Sequence, residues 1–166
     1  MTRRVPAARI CAAPASRQLA EPGAWRWSNV PVPEAHLGVG ALGVALSILR
    51  PCRMTWQPAR HLGWPLIAGG VTLAAWATHA AGATALDQPD RLVTGGPYAW
   101  SRNPMYVAWT AIFLGTALVI RAAWLLLLLP LLAALIDRET HREEQRLTDV
   151  FGSDFDTYKA KVRRYL

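Results

Sequence analysis

Leu92-Val93-Thr94-Gly95-Gly96-Pro97-Tyr98-Ala99-Trp100-Ser101-Arg102-Asn103-Pro104-Met105-Tyr106 is the long polar interruption in the otherwise apolar middle of this chain. Its reading decides the fold. Gly95-Gly96 supplies backbone freedom and Pro97 fixes φ, which makes a turn. Asn103-Pro104 stands directly before the apolar run 105–120. Asn is a favoured N-cap and Pro a favoured first helical residue, so the pattern predicts a helix from Pro104 with Asn103 capping it. The free N–H groups of that helix then lie beside Arg102 and the hydroxyls of Tyr98, Ser101 and Tyr106, a suitable place for an anionic group. The same stretch also reads as a well-capped loop between two membrane helices, with Arg102 among lipid headgroups.

Working outward, residues 62–86 are apolar and long enough to cross a bilayer. Gly69-Gly70 in that run offers a close helix contact. His79 lies deep within it and is expected to face protein or a cavity rather than lipid. Residues 37–49 cover only about 20 Å of a roughly 30 Å hydrocarbon core. Borrowing 30–36 completes that span and leaves Glu34 and His36 near an interface. Downstream, 105–120 and 122–136 are separated by Arg121 and read as a helical hairpin, with Pro130 kinking the second arm. The expected fold class is therefore all-α, a polytopic membrane protein of about four transmembrane helices. The spans fall near 30–49, 62–86, 104–120 and 122–137, with a central loop at 87–104 and a helical tail at 138–166. Residues 1–28, rich in Ala, Pro and Arg, read as a disordered basic tail before the single domain 29–166. Pro6, Arg9 and Pro14 break the run after Arg3-Arg4, so no secretory signal is expected there.

Composition agrees with a membrane setting. Charged residues are 17% of the chain, mean hydropathy is +0.16 and there are eight Trp. A soluble domain carries about 25% charged residues, and interfacial Trp is a membrane feature. The net charge of +7 is carried at the ends of apolar runs. Anionic headgroups, not nucleic acid, are thus the expected partner. Fourteen Lys or Arg fall in the N-terminal tail, central loop and C-terminal tail, against four on the opposite side. That asymmetry orients both termini and the central loop toward the cytoplasm. Cys11 and Cys52 form no metal-binding or disulfide pattern, and no metal site is expected.

In the tail, Ile136, Thr140, Glu143, Leu147 and Val150 follow a spacing of four, three, four and three, so they share one helix face. Glu143 sits on that inward seam, and Glu144 is turned about 100° away. A carboxylate on a buried seam needs a partner. It is either paired with a neighbouring Arg or accepts hydrogen bonds from a ligand's hydroxyls. Arg138, Arg142 and Arg146 line the adjacent row. Phe151-Gly152 ends the helix, and Ser153 with Asp156 starts another. Phe155, Tyr158, Val162 and Tyr165 form its apolar stripe, flanked by Lys159, Lys161, Arg163 and Arg164. That helix lies in the membrane interface, packs on the protein, or does both.

The segment 92–98, then Ser101-Arg102-Asn103-Pro104-Met105-Tyr106, then Glu143-Glu144 with Leu147, Phe151-Gly152, Tyr158 and Val162-Arg163-Arg164, resembles the isoprenylcysteine carboxyl methyltransferase and phospholipid methyltransferase superfamily. The resemblance covers roughly residues 30–166. It implies an integral membrane enzyme that uses S-adenosylmethionine, held at the cytoplasmic surface between the central loop and the tail. It further implies that Arg91, Leu92 and Val93 line the adenosine, that Tyr98 and the turn of Asn103, Pro104, Met105 and Tyr106 hold the methionine end, and that Glu143 binds the ribose. Asn103 stands where the family often has His; it can donate a hydrogen bond but cannot carry a proton. Glu139 stands where some members have a substrate-binding Arg, with Arg138 and Arg142 on either side.

Methyl transfer from a sulfonium needs little proton chemistry; alignment and exclusion of water supply most of the rate. The greasy surroundings favour a lipophilic acceptor from the bilayer. A carboxylate acceptor needs a cation, for which Arg138 or Arg142 serves as the catalytic candidate, and carboxyl O-methylation is the expected reaction. The alternatives are phospholipid N-methylation with Glu144 as base, an NADPH-dependent membrane reductase of the sterol-reductase type, or a non-catalytic small membrane protein.

Overall fold

The computed structural model describes residues 34–82, 84 and 91–166. The basic tail 1–28, and residues 85–90 before the central motif, lie outside the described residues. Those described form six α-helices and one 3-10 turn, with no sheet. They are α1 (Glu34–Leu49), α2 (Ala59–Ala81), the 3-10 turn (Gly96–Ala99), α3 (Pro104–Ile120), α4 (Ala123–Leu127), α5 (Leu129–Phe151) and α6 (Ser153–Lys161). Among the described residues, no helix is long and apolar enough to cross a membrane. The apolar α3 has 17 residues, about 25 Å of rise against a hydrocarbon core of about 30 Å.

The closest helix packing is between α2 and α3, and glycine is its cause. A Cβ on Gly63 would stand 2.6 Å from the Gly115 carbonyl oxygen, and one on Gly115 would stand 2.7 Å from that of Gly63. A Cβ on Gly70 would stand 2.7 Å from the Ala108 carbonyl oxygen. The two backbones touch along this antiparallel seam because no side chain intervenes. Gly69, the other half of the expected Gly69-Gly70 contact, meets nothing within 4 Å.

At the end remote from the central loop, the turn between α3 and α4 is tied down by Arg121. This residue adopts the left-handed conformation (φ 56°) and donates from its guanidinium to the carbonyl of Met54. Met54 N–H in turn donates to the Arg121 carbonyl at 3.1 Å, and Trp124 Nε1 donates to Arg50 O at 2.7 Å. The expected kink at Pro130 is a full break: α4 stops at Leu127, and α5 starts anew with Pro130 in its first turn. Proline has no N–H to give to residue 126 and its ring crowds that carbonyl, so it suits a helix start. From there α5 runs unbroken for 23 residues, from an apolar first half into the charged tail.

Two polar residues sit differently from expectation. His79, near the end of α2, is exposed and does not face protein. His36, expected at an interface, is buried, with Nε2 3.2 Å from Thr110 Oγ1.

The seam gives a contrast that thermal unfolding in detergent would check. Gly63→Val should destabilise by about 1–3 kcal/mol through overpacking. Gly69→Ala should be neutral or stabilise by about 0.5–1 kcal/mol, the helix-propensity gain over glycine.

Candidate functional site

Three stretches far apart in the chain converge at the other end of the bundle. Arg91, Leu92, Val93, Tyr98, Arg102 and Asn103 come from the central loop, Glu143, Glu144 and Leu147 from α5, and Phe155 and Tyr158 from α6. Together they line a cleft with about 50 Å³ of free space. Local chemistry explains how the loop reaches it. Gly96 takes a positive φ of 61° and places Pro97 and Tyr98 in the 3-10 turn against α2. Tyr98 is buried there with Ala77 and Met105, and Tyr158 Oη donates to its carbonyl at 2.6 Å.

Helix α3 begins at Pro104, as the Asn103-Pro104 pair predicts, but Asn103 makes no side-chain cap. Its Nδ2 instead donates to the carbonyl of Arg164 at 3.1 Å, and its N–H donates to Ser101 Oγ. The C-terminal residues thus claim the side chain that sequence reading assigned to the helix end. Ser153 likewise begins α6 without a side-chain cap. The stripe Phe155 and Tyr158 is buried against the protein, while α6 ends at Lys161 and Val162 is extended.

The adjacent carboxylates of α5 have opposite environments. Glu144, expected to turn away, is held between two cations: Arg102 Nη2 at 2.8 Å and Arg164 Nη2 at 2.9 Å. Burial pushes its carboxyl up, yet the hydrogen bonds and charge of Arg164 and Arg102 outweigh that and hold it below the usual range. Glu143 lies on the seam beside Leu147, faces the cleft, and has no hydrogen-bond or ion-pair partner among the described residues. Burial raises its pKa, the charge of Glu139 raises it further, and Arg146 offsets part of this. Burial likewise lifts Tyr98 above the ordinary phenol, with Glu143 adding to it, and pushes Tyr158 up to about 12.

A second cavity, of about 530 Å³, lies between α3 and α5. Val107, Leu129, Leu132, Ala133 and Ile136 make its walls, with Tyr106, Thr110, Asp137 and Tyr165 as its polar atoms. Tyr106 is three residues past Asn103, one helical turn along α3, so neighbouring turns at the start of this helix contribute to the two cavities.

Of the sequence-predicted residues, Arg91, Leu92, Val93, Tyr98, Asn103 and Glu143 meet in the cleft. Tyr106 lines the groove instead. Pro104 and Met105 are buried in the core and line neither. Arg138 and Arg142 are exposed and line neither cavity, and Arg142 sits 3.4 Å from Glu139. Sequence reading named Glu144 only as a base for an amine acceptor, and Phe155 and Arg164 only as parts of the tail; it missed the pairing of Glu144 with Arg102 and Arg164 and the place of Phe155 in the cleft wall. The usable signal was charge balance: Arg102 stands just before the apolar helix α3, and a cation buried there by folding requires a carboxylate.

A model of the phospholipid methyltransferase family matches residues 59–154, more than half of the 166. That match takes in α2, α3, the central loop and α5. No curated protein and no solved structure matches the chain.

The two glutamates should respond oppositely to neutralisation. Glu143 binds its proton more tightly folded than unfolded, so its ionisation opposes folding at neutral pH; Glu143→Gln should keep or raise the melting temperature. Glu144 has a depressed pKa, so its contribution is full above the unfolded carboxylate range and is lost as pH falls through its lower folded value. Glu144→Gln should cost about 1.5–3 kcal/mol at pH 7, the loss of charged hydrogen bonds. Denaturant unfolding of both variants in detergent at pH 7 would check this.

Proposed function

The chain belongs to the phospholipid methyltransferase family, within the superfamily of isoprenylcysteine and phospholipid membrane methyltransferases, and from that premise we propose that it methylates a lipophilic acceptor with S-adenosylmethionine as donor. The single observation that carries the reading is the unpaired Glu143 carboxylate in a cleft next to an apolar groove. A carboxylate without a partner beside Leu92, Val93, Leu147 and Phe155 suits the ribose hydroxyls of a nucleoside whose adenine packs on apolar walls. Arg91, Leu92 and Val93 would flank the adenosine, and Tyr98 and Asn103 the methionine end. When bound, the donor supplies an electrophilic methyl group on a positively charged sulfur.

The chain's own residues then have two tasks. The groove of Tyr106, Thr110, Leu132 and Ile136 would take the acceptor's hydrocarbon and exclude water, so that its head points to the cleft. The charged side chain on the groove is Asp137, which favours a cationic head. An ammonium must lose a proton to become nucleophilic, and Asp137, which also pairs with Arg164 and His141, is the carboxylate on the groove that would receive it. An amine headgroup is therefore the preferred acceptor over a carboxylate, because Arg138 and Arg142 stand on the exposed face.

The family setting supports a membrane location, and the Lys and Arg asymmetry of the sequence supports a multi-pass arrangement with both termini cytoplasmic. Leu37, Leu42, Ile48, Leu62, Trp64, Val71, Leu127 and Leu131 are exposed along the helices, a surface suited to lipid. Helices α1 and α3, with 16 and 17 residues, are short of a full span, so the bilayer would thin around them or flanking residues would snorkel.

Calorimetry with S-adenosylmethionine should show binding that Glu143→Gln weakens roughly ten- to a hundredfold, equivalent to about 1.5–3 kcal/mol. Binding should also fall on acidification, starting above the usual carboxylate range, since the raised pKa of Glu143 removes its charge early. Membranes incubated with donor labelled in the methyl group should yield alkali-stable label in the lipid extract. Methanol released by mild alkali would instead identify an ester and return the reaction to carboxyl O-methylation.

A further inference from the structure

We infer that residues 159–165 are a strap that closes the donor cleft, that Arg164 is its latch, and that donor exchange requires the strap to lift. The inference rests on the donor reading above.

The strap starts as the last turn of α6, which ends at Lys161, and leaves the helix as extended chain at Val162, with φ −121° and ψ 132°. Its backbone carbonyls serve the loop. Arg102 N–H donates to Arg163 O at 2.9 Å, and the Arg102 guanidinium donates to Lys159 O and Val162 O, each at 3.2 Å. Ser101 Oγ and Asn103 Nδ2 both donate to Arg164 O, at 3.3 and 3.1 Å. On its other side, Tyr165 Oη donates to Thr140 Oγ1 at 3.4 Å.

The Arg164 side chain supplies the charged attachment to α5. Its Nε and Nη2 donate to the two oxygens of Glu144 at 3.2 and 2.9 Å. Its Nη1 reaches Asp137 Oδ1 at 3.4 Å and His141 Nε2 at 3.2 Å. Arg164 lines neither cavity. It touches the cleft only through Glu144, which in turn holds Arg102 from the opposite wall. The guanidinium is 30% exposed, so the pair is partly screened and can be released.

Size makes release necessary. The cleft holds about 50 Å³, whereas sites for drug-sized ligands enclose about 300–1,000 Å³. The walls of the cleft include the loop and the residues that the strap fastens to it. Lifting residues 159–165 frees Arg102 and Asn103 together and enlarges the space on their side. The same movement shifts Tyr165 and Leu166, which line the acceptor groove, so that one segment bounds both cavities.

The test compares full-length protein in detergent as wild type, Arg164→Ala and Arg164→Lys. Hydrogen exchange at 98–103 should be about tenfold faster in Arg164→Ala, with α2 and α3 unchanged, and Arg164→Lys should return it to within about threefold of wild type. With labelled S-adenosylhomocysteine as probe, Arg164→Ala should raise both association and dissociation rates about tenfold and leave Kd within about threefold. A merely structural Arg164 would leave the association rate unchanged and weaken Kd. Unchanged exchange at 98–103, or exchange that rises equally in α2 and α3, overturns the latch even where the probe binds. Responsive exchange in a wild-type protein that binds no probe overturns the donor reading, and the strap's role as a donor gate falls with it.

Discussion

Glu144, held between Arg102 and Arg164, is the interaction on which the functional end of this bundle depends. It joins three segments that are distant in sequence: the central loop, helix α5 and the C-terminal residues. The arrangement is not chiefly a source of stability, since taking ions out of water offsets much of their attraction. Its effect is to fix position. With Arg102 pinned, the loop can present Asn103 and Tyr98 to the cleft, and α6 can seat Phe155 and Tyr158 opposite them.

Pairing at Glu144 also defines what is left over. Helix geometry places Glu143 on the next row, facing a cleft whose Arg102 is already engaged by Glu144 and whose Arg91 donates to Thr84 Oγ1. Its raised pKa records an acceptor that folding has not satisfied. On the proposed reading of this phospholipid methyltransferase family member, such an acceptor would hold donor hydroxyls. Beyond Asn103, one turn of α3 carries the wall from polar to apolar, so a water-soluble donor and a lipid acceptor can approach from different media. The glycine seam between α2 and α3 keeps that wall rigid by letting the two backbones touch.

The sequence was legible wherever local chemistry dominates. Helix α3 starts at Pro104 because Pro suits that position, and the tail helix stops at Gly152 because glycine accepts a positive φ. Arg91, Leu92, Val93, Tyr98, Asn103 and Glu143 lie along one cleft, and all six were named from the motif they resemble. What was not legible is tertiary. The seam of α5 admits either glutamate, since positions 143 and 144 are three and four residues past the buried Thr140. Only the arrival of Arg102 and Arg164 decides that Glu144 is the paired one. Asn103 looked like a cap until a carbonyl from residue 164, some sixty positions away, offered a better partner. Tyr106 belongs to the loop motif in sequence, but one turn of helix carries it into the groove. Pro130 was read as a kink, and the break that results follows from the same missing N–H.

The central claim is that donor and acceptor occupy two separate cavities, and filling one of them tests it most directly. Ala133 lines the groove and has no place in the cleft. Ala133→Trp should reduce transfer of labelled methyl into the lipid extract at least about tenfold, while the affinity for S-adenosylmethionine stays within about twofold. Leu37→Trp, on the exposed face of α1, should alter neither. Full methyl transfer in the Ala133→Trp protein, with donor affinity intact, would contradict the assignment of the groove to the acceptor.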